Sequence, residues 1–351
     1  MLRWPARVPF RLLPFWLLSW ILLLCAAWIY WMWQPGVAQS ASTAAVVAIG
    51  VVTLRVFGFY FGLQYVGDAA RYLSPMPPNI GVRHAIRSAA LDLLRGLHDD
   101  PLLQRYQRIV VVGHSLGSVI AYDALTHLWQ ERHHPADHHP LIPAPQPAHD
   151  ELKDADALRP PACRDLQSRI WREQRAIGVA WKITDFITLG SPLAHASFLM
   201  AKSPNDFSDR KRQRELPTCP PQHEDPRDAE YGKSLLITDN GCKLLHHAAL
   251  FACTRWTNLY FPGDLIGGPL QEPFGPWVDD HPVQSRRLFG LGQFLPSSHI
   301  RYWKTSERST PNARVTDPNP QTAIEQLGKA LDLKEWWTPE NKAAALEGTA
   351  W

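Results

Sequence analysis

A β-branched run that leads directly into a glycine-flanked serine constrains the fold of this chain more than any other feature. The run from Arg108 to Val112 predicts a buried strand, and the apolar spacing from Leu116 to Trp129 predicts a helix. Between them the five residues GHSLG, from Gly113 to Gly117, match Gly-x-Ser-x-Gly. A tight strand-to-helix turn of this kind is typical of an α/β fold with a mostly parallel sheet.

The remainder of the chain from Gly67 onward alternates predicted strands and helices. Two further strands are predicted at 183–189 and 256–261, and further helices at 79–98, 165–177, 243–253 and 321–333. This alternation predicts one α/β domain over residues 67–351, with helices on both faces of the sheet. Two proline-rich stretches, 131–162 and 203–233, interrupt the pattern and are predicted to be surface insertions.

The amino-terminal segment, residues 1–66, is predicted to be a membrane anchor. Residues 12–33 contain no formal charge over 22 positions, which is long enough for a helix that spans a bilayer. A secretory signal is the alternative, because three arginines precede the run, but the run is longer than a signal's apolar stretch. A second apolar stretch, 44–66, carries Arg55 and is predicted to be a second span.

The arginines that flank the two predicted spans indicate an orientation. If both segments span, the uncharged turn between them lies outside, and residues 67–351 lie in the cytoplasm. If 44–66 is instead an interfacial helix or buried strands, the large domain faces the opposite compartment. We therefore expect an integral membrane protein whose main domain is cytoplasmic.

Charge and cysteine content exclude several classes of protein. With 36 basic and 33 acidic residues the net charge is only +3, which does not favour nucleic acid as a partner. The 5 cysteines are widely spaced and odd in number, so neither a disulfide framework nor a zinc knuckle is indicated. Histidines clustered within 131–162 leave metal handling as a minor alternative. The oligomeric state is left open.

Ser115 is the candidate nucleophile, because the predicted turn would hold its hydroxyl above the sheet edge. We expect glycine at both Gly113 and Gly117 because side chains there would collide with neighbouring backbone. The helix that follows directs its amino terminus and the N–H of Leu116 toward an oxyanion formed at the serine. His114 is expected either to line the pocket or to pack beneath the turn.

A serine nucleophile needs a histidine base and an acid that orients the histidine. In this architecture the acid precedes the histidine along the chain, and Asp264 and His299 fall at suitable loop positions. The alternatives for the acid and the base are Asp239, Asp279 and Asp280, and His246, His247 and His281.

The segment from Val112 to Asp123 (VGHSLGSVIAYD) resembles the nucleophile region of α/β-hydrolase lipases, in particular intracellular phospholipases with a DDHD domain and class 3 lipases. Residues 188–192, residues 258–264 and the Ser298-His299 pair with Tyr302-Trp303 resemble the strand end, acid loop and histidine segment of those families. The resemblance implies an α/β-hydrolase-like fold and a serine esterase or lipase. Its substrate would be a carboxylic ester, with membrane lipids among the candidates, and no cofactor or metal would be required.

One part of the family pattern has no counterpart. Those folds place strands before the nucleophile strand, and a loop after one of them donates the second oxyanion N–H. Between Gly67 and Gln107 only helices and turns are predicted. The sheet is then reduced, or 44–66 is strand, or the reading frame has lost its beginning. This departure keeps a catalytically inactive membrane scaffold or binding protein as the alternative function.

Overall fold

The computed structural model describes residues 67–74, 76–99, 106–133, 141–223, 236–283, 296–303 and 322–332. The chain divides into two units, Met1–Asp68 and Ala69–Trp351, and the elements below belong to the second. The spans predicted at 12–33 and 44–66 lie outside the described residues. None of the helices in the described ranges is long and apolar enough to cross a membrane.

The strands of the described chain form a parallel sheet and a separate hairpin. In chain order they are β1 (Ile109–His114), β2 (Ile183–Leu189), β3 (Leu236–Asp239), β4 (Cys242–Leu245), β5 (Arg255–Tyr260) and β6 (Asp279–Pro282). The four-stranded sheet has the order β1-β2-β5-β6, and each neighbouring pair is parallel. Strands β3 and β4 form an antiparallel hairpin through Asn240 and Gly241, both at positive φ. Because the sheet is parallel, the carboxyl ends of its strands share one edge.

Residues 67–73 are helical, and the helices that follow them are α1 (Pro77–Asp99), α2 (Leu116–Arg132), α3 (Pro147–Glu151), α4 (Ala162–Ala176), α5 (Ala196–Leu199), α6 (Pro204–Arg212), α7 (Gln271–Phe274) and α8 (Ala323–Leu331). Short 3-10 helices occupy Leu152–Ala157, Pro192–His195, Leu250–Ala252 and Pro296–Ile300. The last of these carries His299, so the candidate base lies on a short helix after the sheet is complete.

Two apolar clusters cover the sheet. The larger cluster joins Phe186 and Trp256 of the sheet to apolar residues of α1, α2 and α4. The smaller cluster joins Ile187 and Leu259 to α8. Because successive strand residues point to opposite faces, the clusters lie on opposite sides of the sheet. The prediction of a mostly parallel α/β sheet with helices on both faces is therefore confirmed.

A buried group of charges lies near the amino ends of the strands. Asp185 of β2 accepts hydrogen bonds from Arg108 at 2.6 Å and from Arg255 at 2.7 and 3.0 Å. Burial alone would raise the pKa of this carboxyl, but the two guanidinium groups hold it below its ordinary value. The cluster ties β2 to β5 and to the residue before β1, at the sheet edge opposite the candidate site.

Several sequence predictions need correction. Residues 243–253 form no continuous helix: β4 ends at Leu245, and a turn and a 3-10 helix follow. The stretch 131–162 was predicted as a solvated insertion, but it contains α3, and His149 is fully buried beside Glu173. Within 203–233 the residues 204–212 form α6, and Phe207 is buried. In both stretches a few apolar side chains suffice to dock short helices that strict periodicity does not reveal. Residues 134–140 and 224–235 lie outside the description.

Candidate active site

Ser115 lies between β1 and α2 in a backbone conformation that few residues other than glycine adopt. Its φ and ψ are 53° and −131°, and its N–H donates to the carbonyl of Leu189 at 3.0 Å. A non-glycine residue at positive φ is strained, and such strain is found where the surrounding structure fixes a functional side chain. The turn thus holds the Ser115 hydroxyl beyond the carboxyl end of β1.

The two glycines of the motif differ in their reasons for being glycine. A Cβ added at Gly113 would lie 2.6 Å from the Cα of Ser118, so the close approach of α2 to β1 requires glycine there. At Gly117 an added Cβ would meet no atom within 4 Å. The predicted collision at Gly117 is therefore wrong, because this exposed residue faces outward on the first turn of α2.

Ser115, His299 and Asp264 form a continuous chain of hydrogen bonds. The Oγ of Ser115 lies 2.8 Å from Nε2 of His299, and Nδ1 of His299 lies 2.9 Å from Oδ2 of Asp264. A carboxylate only accepts hydrogen bonds, so Nδ1 carries the proton of the neutral imidazole. Nε2 is then free to accept the proton of the serine hydroxyl, which is the arrangement that general base catalysis requires.

The carboxylate of Asp264 is held by donors on both oxygens. Asp264 follows β5 in a turn closed by its own N–H to the carbonyl of Phe261. Oδ1 accepts the N–H of Ile266 at 2.9 Å, and Oδ2 accepts the hydroxyl of Tyr302 at 2.9 Å. Burial opposes ionisation, but the bonds from His299, Ile266 and Tyr302 together keep the pKa of Asp264 below its ordinary value. The acid is therefore ionised at neutral pH.

The three side chains are unequally accessible. His299 is 1% exposed and Asp264 is 8% exposed, whereas Ser115 is half-buried and Gly117 is exposed. Leu116 is the first residue of α2, so its N–H has no acceptor within the helix. Ser115 is therefore the most accessible of the three residues, and it adjoins the open amino terminus of α2.

His114 packs beneath the histidine segment. Its Nε2 lies 2.9 Å from the carbonyl oxygen of His299, and its ring stacks on the His299 ring at 5.2 Å between centroids. The edge of Trp303 contacts the His114 ring as well. Burial lowers the pKa of His114, so the ring is neutral and donates from Nε2 to the carbonyl. His114 therefore packs against the histidine segment rather than beneath the turn, and its role in lining the pocket stays a prediction.

The alternative acids and bases are occupied elsewhere. Asp280 accepts the side-chain amide of Asn258 and the N–H groups of Leu270 and Gln271, which fixes the loop between β5 and α7. Asp279 pairs with Arg164 and His281.

The remaining alternatives lie on other elements. His246 is buried and bonds the carbonyl of Gln222 and the N–H of Ala248, and His247 stacks beside it. Asp239 lies in β3, the first strand of the separate hairpin. The structure brings none of them to Ser115 within the described hydrogen bonds.

Two polar contacts at the site were not foreseen from the sequence. Tyr302 bonds the acid, and the Oγ of Ser118 lies 2.6 Å from that of Ser191. Spacing gives a weak signal for Tyr302, three residues after His299, and none for the Ser118–Ser191 contact, which joins α2 to the end of β2. Both contacts depend on tertiary placement.

The second oxyanion donor is still unassigned. Strand β1 pairs with β2 on one side, and no described strand lies at its other edge, where Val112 is 37% exposed. The stretch 44–66, which was offered as a strand, lies outside the described ranges. Within the described residues, the Leu116 N–H is therefore the oxyanion donor that we assign.

Comparison of the chain with protein-family models, with curated proteins and with solved structures finds no match.

Proposed function

We propose that this chain is a serine hydrolase that cleaves carboxylic esters through an acyl-enzyme on Ser115. The observation that carries the proposal is the hydrogen-bonded chain from Ser115 through His299 to Asp264, on a strained turn at the carboxyl edge of a parallel sheet. The same sheet edge is where α/β folds gather their ligands. The α/β-hydrolase-like architecture is part of this proposal.

In the acylation step, the Oγ of Ser115 forms a bond to the ester carbonyl carbon while its proton passes to Nε2 of His299. The carbonyl oxygen gains the negative charge of a tetrahedral intermediate. When this intermediate collapses, the bond to the alcohol breaks and His299 returns the proton to the departing alcohol oxygen. The acyl group stays on Ser115 as an ester. The carboxylate of Asp264 stabilises the imidazolium from the attack of the serine until the alcohol departs.

In the deacylation step, a water molecule replaces the alcohol. His299 accepts a proton from the water molecule as the water oxygen attacks the acyl carbon. His299 then returns this proton to the serine oxygen as the carboxylic acid product departs. The reaction consumes one ester and one water and yields one alcohol and one acid. No redox change occurs, and the described side chains account for every proton transfer.

The N–H of Leu116 supports the negative charge in both steps. It opens the first turn of α2, where helix N–H groups lack intrahelical acceptors and the helix dipole favours an anion. The loss of one oxyanion donor in comparable enzymes reduces kcat by about 100-fold to 1,000-fold.

The test is hydrolysis of p-nitrophenyl butyrate, a soluble ester, by the full chain in detergent. Ser115→Ala is expected to reduce turnover to the rate of buffer alone. Ser168→Ala is the matched control, because Ser168 lies on α4 and its hydroxyl bonds only the carbonyl of Arg164 in the described hydrogen bonds. Equal rates for wild type and Ser115→Ala would refute the proposal and leave the inactive scaffold as the interpretation.

The natural substrate proposed from the resemblance is a lipid ester, and the proposed location is the membrane, with the catalytic domain on the cytoplasmic side. Reporter fusions after residue 75 test that location. A fusion that is active only outside the cytoplasm would contradict it.

A further inference from the structure

Tyr302 is a buried side chain that the triad chemistry described above does not use. It is 0% exposed, and its ring packs on Phe261 with 4.8 Å between the ring centroids. Gly190 lies so close that a Cβ there would be 2.6 Å from Cε2 of Tyr302. The ring is therefore confined between the end of β2 and the turn that carries the acid.

The direction of the Tyr302 hydrogen bonds is fixed by its partners. The backbone N–H of Phe261 donates to the Tyr302 oxygen at 2.9 Å, so that oxygen is the acceptor in this bond. The hydroxyl proton then has one described acceptor, Oδ2 of Asp264, at 2.9 Å. The hydroxyl thus links a backbone donor at the end of β5 to the carboxylate of the acid.

This bond acts on the same oxygen that holds the catalytic histidine. Oδ2 of Asp264 accepts from both Tyr302 and Nδ1 of His299, while Oδ1 accepts from the Ile266 N–H. The donors on both oxygens set the plane of the carboxylate. A second donor on Oδ2 also withdraws part of the negative charge that the imidazolium would otherwise attract.

We infer that Tyr302 is a positioning residue that orients the Asp264 carboxylate and limits its hold on the protonated His299. The inference rests on the proposed serine hydrolase activity and names a further residue for it. Without the Tyr302 hydroxyl, the Asp264 carboxylate is less restrained. The hydrogen bond no longer offsets part of its negative charge. The imidazolium that forms when His299 takes the serine proton is then held by a carboxylate of altered orientation and charge.

Among the described residues, the other titratable groups near the Tyr302–Asp264 bond are His114 and His195. The ring of His114 lies 5.5 Å from that of Tyr302, and His195 bonds the carbonyl of Leu265, next to Asp264. Burial keeps His114 neutral by lowering its pKa. The charged partners of Tyr302 in the described contacts are therefore Asp264 and, when protonated, His299.

The test compares Tyr302→Phe with Tyr122→Phe in the full chain. Tyr122 is also buried, and its hydroxyl donates to the carbonyl of Pro217 in the core, so both variants lose one buried hydroxyl. For Tyr302→Phe we expect kcat to fall by about 10-fold to 100-fold through misplacement of the base. We also expect the acid limb of kcat/KM against pH to move up by about half a pH unit. Tyr122→Phe is expected to keep the wild-type limb.

A Tyr302→Phe profile with the wild-type acid limb, or an equal displacement in Tyr122→Phe, would overturn the inference and leave Tyr302 as a packing residue. If Tyr302→Phe does not fold, 3-fluorotyrosine at 302 provides the second arm. Its hydroxyl is a stronger donor, so the limb is expected to move to lower pH, and an unmoved limb overturns the inference. Absence of Ser115-dependent turnover in the wild type is a different result, because it refutes the proposed function itself.

Discussion

Gly190 lies where the end of β2 approaches the acid, and replacing it with alanine tests how tightly the site is built. Its φ is +53°, a conformation that costs an alanine about 1–2 kcal/mol. The new Cβ would also lie 2.6 Å from Cε2 of Tyr302 and 2.9 Å from Oδ2 of Asp264. Overpacking of this kind costs about 1–3 kcal/mol, so Gly190→Ala should lose about 2–5 kcal/mol of unfolding free energy.

Gly241 provides the matched control. It lies in the turn between β3 and β4 with a φ of +79°, and an added Cβ there would meet no atom within 4 Å. Gly241→Ala therefore carries the backbone strain without the collision, and it should cost about 1–2 kcal/mol. The difference between the two variants isolates the steric term at the acid.

The assay is urea unfolding of both variants, with ester turnover measured on the folded protein. Gly190→Ala should also reduce kcat/KM by about 100-fold, because displacement of Tyr302 or Asp264 misplaces the base by a fraction of an ångström or more. Gly241→Ala should turn over ester at the wild-type rate. Equal unfolding free energies for the two variants, together with unchanged turnover, would refute the close packing described for the acid.

Two further predictions concern the fold. Asp185→Asn removes the carboxylate that the buried Arg108 and Arg255 share and leaves Arg255 with the more distant Asp332, at 3.4 Å, so it should cost about 3–5 kcal/mol at neutral pH. The deficit should shrink in acid, because a carboxyl with a lowered pKa gives stability that is lost as pH falls through that pKa. Burial lowers the pKa of His98 to about 4 from 6.5, and its Nε2 accepts the Lys182 N–H. The unfolded chain therefore binds the proton first, and His98 should contribute about 3 kcal/mol to the fall in stability from pH 6.5 to 4. Burial also lowers the pKa of His246, to about 3, so His98→Gln should reduce the fall by about that amount in pH-dependent urea titrations without abolishing it. An unreduced fall would contradict the assignment.

The local sequence pattern was sufficient to predict an element where the segment is buried on both faces or has strong helical spacing. Strand β2 was predicted at its exact bounds because its sequence, ITDFITL, is rich in β-branched and apolar residues and is followed by glycine at 190. The helix predicted at 79–98 is α1, which begins two residues earlier at Pro77 and ends at Asp99. These elements are determined by their own sequence, so periodicity identifies them.

Local pattern failed where tertiary contacts decide the structure. The short strand β6, whose sequence is DDHP, is polar and was not among the predicted strands, yet it pairs with β5 at the sheet edge. Strand β4 has the short sequence CKLL, which periodicity alone does not separate from a helix. The partner of β6 lies about 20 residues earlier in β5, whereas β4 pairs across the two-residue turn that follows β3.

The same distinction holds for the site. Ser115 follows from the motif, and Asp264 and His299 were selected by their order and by loop position. The roles of Tyr302 and Ser118 required coordinates, because their partners Asp264 and Ser191 are distant in sequence. Gly117 was misjudged since the space around a residue on the first turn of α2 depends on what packs against that turn.

The location of a covalent adduct tests whether Ser115 is an activated nucleophile. The full chain in detergent is treated with a fluorophosphonate, which reacts with activated serines, and the modified peptide is identified by mass spectrometry. We expect one adduct, on Ser115, that is absent in Ser115→Ala and forms far more slowly in His299→Asn. An unmodified protein, or an adduct on another serine with Ser115 untouched, would contradict it.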